Sequence, residues 1–236
     1  MKIKIITSYK PGTWDSYSKR GIDSMVKHLP NEVDITVYCE EPKPNYDSDR
    51  ITWIDLNTAE PELFKFKNKH KNDPVACGQT TLIEGGVRRL PNAGSRDRGK
   101  GSFLWDAVRF SNKVFCVVNA VRNSPDYDYV VWVDADTYTF RPMPIDFLES
   151  LLPIKTMVTY LERQRFELND GGKYPECGFV GYNLRHPEIQ NFVNEWEQLY
   201  VTDNVFKLLE WHDSFIFWHL SKKFKEEKNI EVNDIG

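Results

Sequence analysis

Asp134 and Asp136, separated only by Ala135, follow directly on Tyr129-Val-Val-Trp-Val133, a continuous apolar run. A run of this kind suits a strand buried on both faces, so it would deliver two carboxylates together to the mouth of a buried strand. Like charges taken out of water are costly unless a cation meets them. In extended backbone, residues i and i+2 point to one side, roughly 6.5 Å apart along the strand. One carboxylate can then hold a divalent cation while the other reaches a cation-bound water or a ribose hydroxyl. Hard oxygen donors favour Mg²⁺ or Mn²⁺. The carboxyl ends of strands are also where open α/β sheets gather ligands. An Asp-x-Asp pair on its own is a weak signal, and a turn that merely caps the strand is the plain alternative.

Positive charge stands upstream. Arg109 and Lys113 lie four apart in a segment where Phe110, Val114, Val117 and Val121 recur at helical spacing, so the two emerge on a common side. Residues 74–101 carry Gly78, Gly85, Gly86, Gly94, Gly99 and Gly101 with Arg88, Arg89, Arg96, Arg98 and Lys100. They read as one long irregular loop, either functional or a solvated basic segment. The loop has almost no interleaved aromatics for base stacking, and the net charge is -4, so no nucleic-acid partner is expected.

The elements that must position these groups follow from periodicity. Residues 2–7 alternate as a first strand, and Asp15 or Ser16 would cap a helix to about residue 28, with Ile22, Met25, Val26 and Leu29 on one face. Strands are predicted at 33–37 and 51–56, and a basic helix at 61–72. Ser102 would cap the helix that carries Arg109 and Lys113. Beyond the aspartates, the pattern predicts a helix at 145–152 and strands at 156–161 and 178–183. A helix from His186-Pro187 would bury Phe192, Val193, Trp196 and Leu199, and one last helical stretch would cover 205–224. Strand-helix-strand repetition predicts an α/β fold with a mixed, mainly parallel central sheet flanked by helices. No G-x-G-x-x-G dinucleotide fingerprint is present. The chain parses as one domain over 1–236, which the aspartates divide into 1–137 and 138–236. Its four cysteines lie far apart and form no C-x-x-C pair. With an apolar opening too short for a secretory leader and no run of roughly 20 apolar residues, a cytoplasmic location and no transmembrane segment are expected.

The blocks Trp105-Asp-Ala-Val-Arg-Phe-Ser-Asn-Lys113 and Val130-Val-Trp-Val-Asp-Ala-Asp-Thr137 resemble GT-A glycosyltransferases. The similarity is to a group found in phages and bacteria, and more distantly to glycogenin-like enzymes, and it implies a nucleotide-binding half at 1–137 and an acceptor and donor-sugar half at 138–236. Tyr160-Leu-Glu-Arg163, Glu176-Cys-Gly-Phe-Val-Gly-Tyr-Asn183 and Glu210-Trp-His-Asp-Ser214 fit in the same order. So does the opening Thr7-Ser-Tyr9, with Pro11 and Tyr17 following. The resemblance implies transfer of a sugar from a nucleotide-diphosphate donor, UDP-sugar favoured, to a glycan, lipid or protein hydroxyl, with Mn²⁺ or Mg²⁺ as cofactor. It implies metal contacts for Asp136, Asp134 and His212, and places Thr7 and Tyr9 near the base. Arg109 and Lys113 would face the diphosphate, Glu176 beside Gly178 would meet donor-sugar hydroxyls, and Asp213 would be the catalytic base. If configuration is retained, Asp213 would position the sugar instead.

Many relatives carry a later His-x-Lys-Gly-like segment that supplies metal and phosphate contacts; this sequence ends at Asp234-Ile-Gly236 without it, so either His212 or water would fill that place, or a shortened protein with weak or lost turnover is expected. Two other readings stay open. A binder of nucleotide sugars or glycans could use the same pocket without turnover. Asp134-Ala-Asp-Thr137 also matches the nucleophile motif of haloacid-dehalogenase phosphatases, although that motif normally follows a first strand.

Overall fold

The computed structural model describes residues 1–80, 83–84, 87–88, 103–167 and 173–236. Strand β1 (Ile3–Ser8) leads through a π-helical turn (Trp14–Ser18) into α1 (Lys19–His28), then β2 (Asp34–Cys39) and β3 (Ile51–Asp55). Two short helices follow, α2 (Leu56–Ala59) and α3 (Pro61–His70), the latter with proline at its first position, where no backbone N–H is needed. A two-residue hairpin, β4 (Ile83–Glu84) with β5 (Val87–Arg88), precedes a 3-10 turn (Phe103–Trp105), α4 (Ala107–Arg122) and β6 (Tyr129–Val133). The rest is α5 (Ile145–Ser150), β7 (Val158–Glu167), β8 (Lys173–Asn183), α6 (Ile189–Val201), a 3-10 turn (Asn204–Lys207), α7 (Asp213–Lys228) and β9 (Val232–Asp234).

Seven strands form one sheet in the order β3-β2-β1-β6-β8-β7-β9. β1 pairs in parallel with both β2 and β6, and β2 with β3; β8 runs antiparallel to β6 and β7, and β9 parallel to β7. The expected mixed, mainly parallel sheet is therefore what forms. The chain winds outward from β1 to β3, then returns through α4 to place β6 on the other side of β1. That reversal is a topological switch point, and the crevice between the carboxyl ends of β1 and β6 is where such sheets hold ligands.

The central strand shows why its sequence is apolar throughout. Tyr129, Val131 and Val133 pack into one core with Ile22 and Met25 of α1 and Leu148 of α5. Val130 and Trp132 pack into the other with Val114, Val117 and Val121 of α4 and with side chains of α6 and α7. A side-chain period of two thus feeds two layers, each valine contributing about 1.5–3 kcal/mol through burial. Both cores draw on residues from either side of position 137.

Several local expectations change. Ser102 and the basic-loop residues Arg89, Arg96, Arg98 and Lys100 lie outside the described residues, as do Gly85, Gly86, Gly94, Gly99 and Gly101. The observed cap of α4 is Asp106, whose carboxylate accepts the Arg109 N–H at 3.1 Å, a contact worth about 1 kcal/mol. Neither Asp15 nor Ser16 caps α1, because the π-helical turn runs directly into it. The last helical stretch is broken over residues 208–212. Backbone bonding there goes outward: the Trp211 N–H meets the Leu104 carbonyl at 2.6 Å and the Trp105 indole meets the Leu209 carbonyl at 3.2 Å. That break makes Asp213 the first residue of α7. Strand β9 has too few residues to show any periodicity.

Candidate active site

The carboxyl ends of β1 and β6 open into a cleft of about 650 Å³. Its wall includes Tyr9, Arg109, Lys113, Asp134, Asp136, Glu176, His212 and Asp213. Eight of the ten residues singled out in the sequence therefore meet in one space, although they come from five separate parts of the chain. Thr7 and Gly178 are not on the wall. Thr7 is fully buried within the sheet, and the β1 residue that reaches the cleft is Ser8, one step along the alternation. Gly178 stands just behind the wall, where a Cβ would come within 3.3 Å of Glu176 Oε1 and 3.5 Å of Asp134 Oδ2.

The two aspartates are presented by a turn, not by extended strand. The Thr137 N–H donates to the Asp134 carbonyl at 2.9 Å, closing residues 134–137, and the Asp134 N–H continues the ladder to the Gly178 carbonyl at 3.0 Å. Helix α1 presses so close to this turn that a Cβ on Gly21 would lie 2.0 Å from the Ala135 carbonyl oxygen. The extended i, i+2 geometry expected for Asp134 and Asp136 gives way to this turn, yet both residues line the cleft.

Lys113 organises the inner end. Its ammonium is ion-paired with Asp213, stands 3.0 Å from Asp134 Oδ1 and donates to the Cys177 carbonyl at 2.9 Å. Burial opposes its charge, but the carboxylates of Asp213 and Asp134 outweigh burial and hold the lysine above its ordinary pKa. Burial would likewise raise Asp213; Lys113 overrides it, helped by His212 and the Ser214 N–H, and the carboxyl stays below its usual range. Its place in the first turn of α7 adds a favourable helix dipole. The ion pair fixes this carboxylate beside Lys113 on the cleft wall, an arrangement compatible with either role expected of Asp213, catalytic base or positioning of the sugar.

His212 also lines the cleft. Its Nε2 lies 2.9 Å from Glu210 Oε2 and its Nδ1 4.0 Å from Asp213 Oδ1, with the ring among Phe103, Phe110 and Phe215. Among the described residues there is no group of three or more His, Cys, Asp or Glu side chains able to hold a metal ion. Of the carboxylates on the cleft wall, Asp134 and Asp136 are the two presented together by the turn. Trp132 and Lys113 both engage Asp134 Oδ1, leaving Oδ2 on the side where Gly178 contributes no Cβ. Asp136 is exposed and makes no ion pair among the described residues. Two oxygen donors, completed by water and substrate phosphate, are the donor set that suits Mg²⁺-like ions bound with their substrate.

At the mouth, Arg109 is exposed, its guanidinium 5.4 Å from the Phe110 ring. Tyr9 also lines the cleft but is itself buried, its ring 5.5 Å from Trp14. The sequence reading missed Lys10, Lys67, Trp132 and Ser214, all of which line the cleft. Of these only Trp132 left a usable signal: it lies two residues before Asp134 on a strand, hence on the same face.

No family model matches the chain, and no curated protein does. Solved structures match its fold. The apo form of mouse xyloside xylosyltransferase 1 superposes with a TM-score of 0.54 at 9% identity, over 99% of this chain and 84% of that one. The bifunctional glycosyltransferase WbbM gives 0.44 at 12% identity, over 84% of this chain and 34% of that one. A glycosyltransferase involved in glycosylation of the major capsid of PBCV-1 gives 0.45 at 10% identity, over 99% and 82%. The chain has the GT-A glycosyltransferase fold, and it is aligned along nearly its whole length. A haloacid-dehalogenase arrangement is not what surrounds Asp134-Ala-Asp-Thr137, since β1, β2 and β3 all precede the motif in the same sheet.

Proposed function

We propose that this chain is a metal-dependent glycosyltransferase that moves a sugar from a nucleotide-diphosphate donor, UDP-sugar favoured, to an acceptor hydroxyl on a glycan, lipid or protein. The observation that carries the reading is the meeting of Asp134, Asp136, Lys113 and Arg109 in one open cleft at the switch point of a GT-A sheet. Asp136 and the Oδ2 of Asp134 would hold Mn²⁺ or Mg²⁺. Bound there, such an ion supplies Lewis-acid stabilisation to the diphosphate oxygens, worth several kcal/mol.

The protein's own part is electrostatic and positional. As the bond from the anomeric carbon to the diphosphate lengthens, negative charge grows on the leaving oxygen. Lys113, already fixed by Asp134 and Asp213, meets that charge without having to reorganise, so it favours the transition state over the ground state. Arg109 adds a second positive charge at the mouth. Asp213 keeps Lys113 in place and would take the acceptor hydroxyl's proton as catalytic base or, if configuration is retained, position the donor sugar, while Glu176, braced by the Gly178 N–H at 3.1 Å, would meet sugar hydroxyls. Tyr9 is the wall for the base.

Among the described residues no helix is long and apolar enough to cross a membrane, and all four cysteines are unpaired thiols. Both features suit work in the reducing cytoplasm.

The reading is tested by incubating the protein with a panel of nucleotide sugars, with Mn²⁺ or with EDTA, and measuring release of nucleoside diphosphate. One donor should be consumed, slowly by water and faster with its acceptor, in the Mn²⁺ arm alone. Tight binding of a nucleotide sugar with neither transfer nor hydrolysis would instead establish a non-catalytic binder.

A further inference from the structure

Trp132 is 3% exposed and packs in the larger apolar core, yet it also forms part of the cleft wall. A side chain serving only as core filling needs no polar contact at the cleft, and this one makes two. Its indole N–H donates to Asp134 Oδ1 at 2.6 Å. Its ring face carries the Lys113 ammonium 5.1 Å from the centroid, and that same ammonium stands 3.0 Å from Asp134 Oδ1. One carboxylate oxygen is therefore gripped by two donors, one of which rests on the other's ring. Rotation of the carboxylate would break both contacts at once and strand a buried indole N–H.

We propose that Trp132 is a positioning residue for Asp134: its indole N–H pins Oδ1 so that Oδ2 faces the cleft, and its ring seats Lys113 beside the same oxygen. What Oδ2 is presented to rests on the proposed function; the pinning of Oδ1 does not. Groups that orient a ligating carboxylate from behind are worth about 10–100-fold in metal affinity.

Two substitutions separate the indole's roles. Trp132→Phe keeps an aromatic ring in the core and under the ammonium but removes the donor, and Trp132→Leu removes both. With melting temperature and circular dichroism reporting the fold, Mn²⁺ is titrated into each protein in the presence of UDP. The expected result is a weakening of apparent Mn²⁺ affinity by about 10–100-fold in Trp132→Phe, recovered by raising Mn²⁺, and a larger loss in Trp132→Leu. Asp134→Ala should not recover at any Mn²⁺ concentration. Affinity in folded Trp132→Phe within about twofold of wild type would overturn the proposal.

A metal-free readout keeps the two claims apart. The Trp132 indole ¹H–¹⁵N resonance should sit downfield and move upfield in Asp134→Ala; a resonance indifferent to that change overturns the proposal. If wild type binds no Mn²⁺ with UDP, the function proposed above falls, and the indole resonance alone then decides whether Trp132 pins Asp134.

Discussion

The two ends of the cleft handle charge in opposite ways. At the inner end Lys113 is about as buried as a core residue, with a side-chain exposure of 10%, and it is neutralised by Asp134 and Asp213. At the mouth Asp136 and Arg109 are exposed and make no ion pairs among the described residues. The inner cluster ties α4 to the end of β6 and the start of α7. Substrate charge meeting the inner end finds its counter-charges already set, whereas at the mouth it must order them. One end is preorganised; the other is recruited.

The sharpest way to break that contrast is to remove the inner cation. Lys113→Met should strand a buried Asp213 and lower stability by about 3–5 kcal/mol, read from urea unfolding. A loss below about 1 kcal/mol would mean that the inner end is no more coupled to folding than the mouth.

Acid should act on the inner end in a defined direction. Asp213 has a folded pKa below its unfolded value, so its contribution is fully present above the unfolded carboxylate range and is lost as pH falls through the folded value. Lys113, raised, contributes fully below the unfolded lysine range and loses its contribution only in strong alkali. The stability gap between wild type and Asp213→Asn should accordingly stay level across neutral pH and narrow below about pH 4. A gap that closes between pH 6 and 8 would require a different partner for Asp213.

The smallest effect belongs to the mouth. Arg109→Ala should change stability by no more than about 0.5 kcal/mol, while weakening UDP binding and flattening its dependence on salt. Fluorescence titration at low and high ionic strength measures this. An unfolded or fully inactive Arg109→Ala protein would erase the distinction between the two ends.

What the sequence disclosed, and what it hid, divides along similar lines. Tyr129–Val133 was legible because a strand buried on both faces needs an unbroken apolar run, and the aspartates that end it are conspicuous. The inner faces of α1, α4 and α6 were legible from helical spacing. The break before Asp213 was not, because its backbone bonds are made to Leu104 and Trp105, about a hundred residues away in the chain. The turn at 134–137 was hidden for the same reason: nothing in the local sequence announces that Gly21 admits α1 against Ala135. Thr7 lies buried within the sheet, next to Ser8, which lines the cleft. Trp132 was overlooked although period two, applied backwards from Asp134, places it on the same face. Pairings between distant segments set what Lys113, Asp213 and His212 do, and residue type alone could nominate them without assigning their partners.

The central claim is that Asp134 and Asp136 bind a divalent ion together with a nucleotide diphosphate. A thermal-shift series with UDP, Mn²⁺, both or neither, run on wild type and Asp136→Ala, tests it most directly. Wild type should be stabilised cooperatively by the two ligands together, by about 2.7 kcal/mol at a hundredfold excess over the dissociation constant, and Asp136→Ala should show no such gain. Equal gains in both proteins, or stabilisation by UDP that ignores Mn²⁺, would contradict the account.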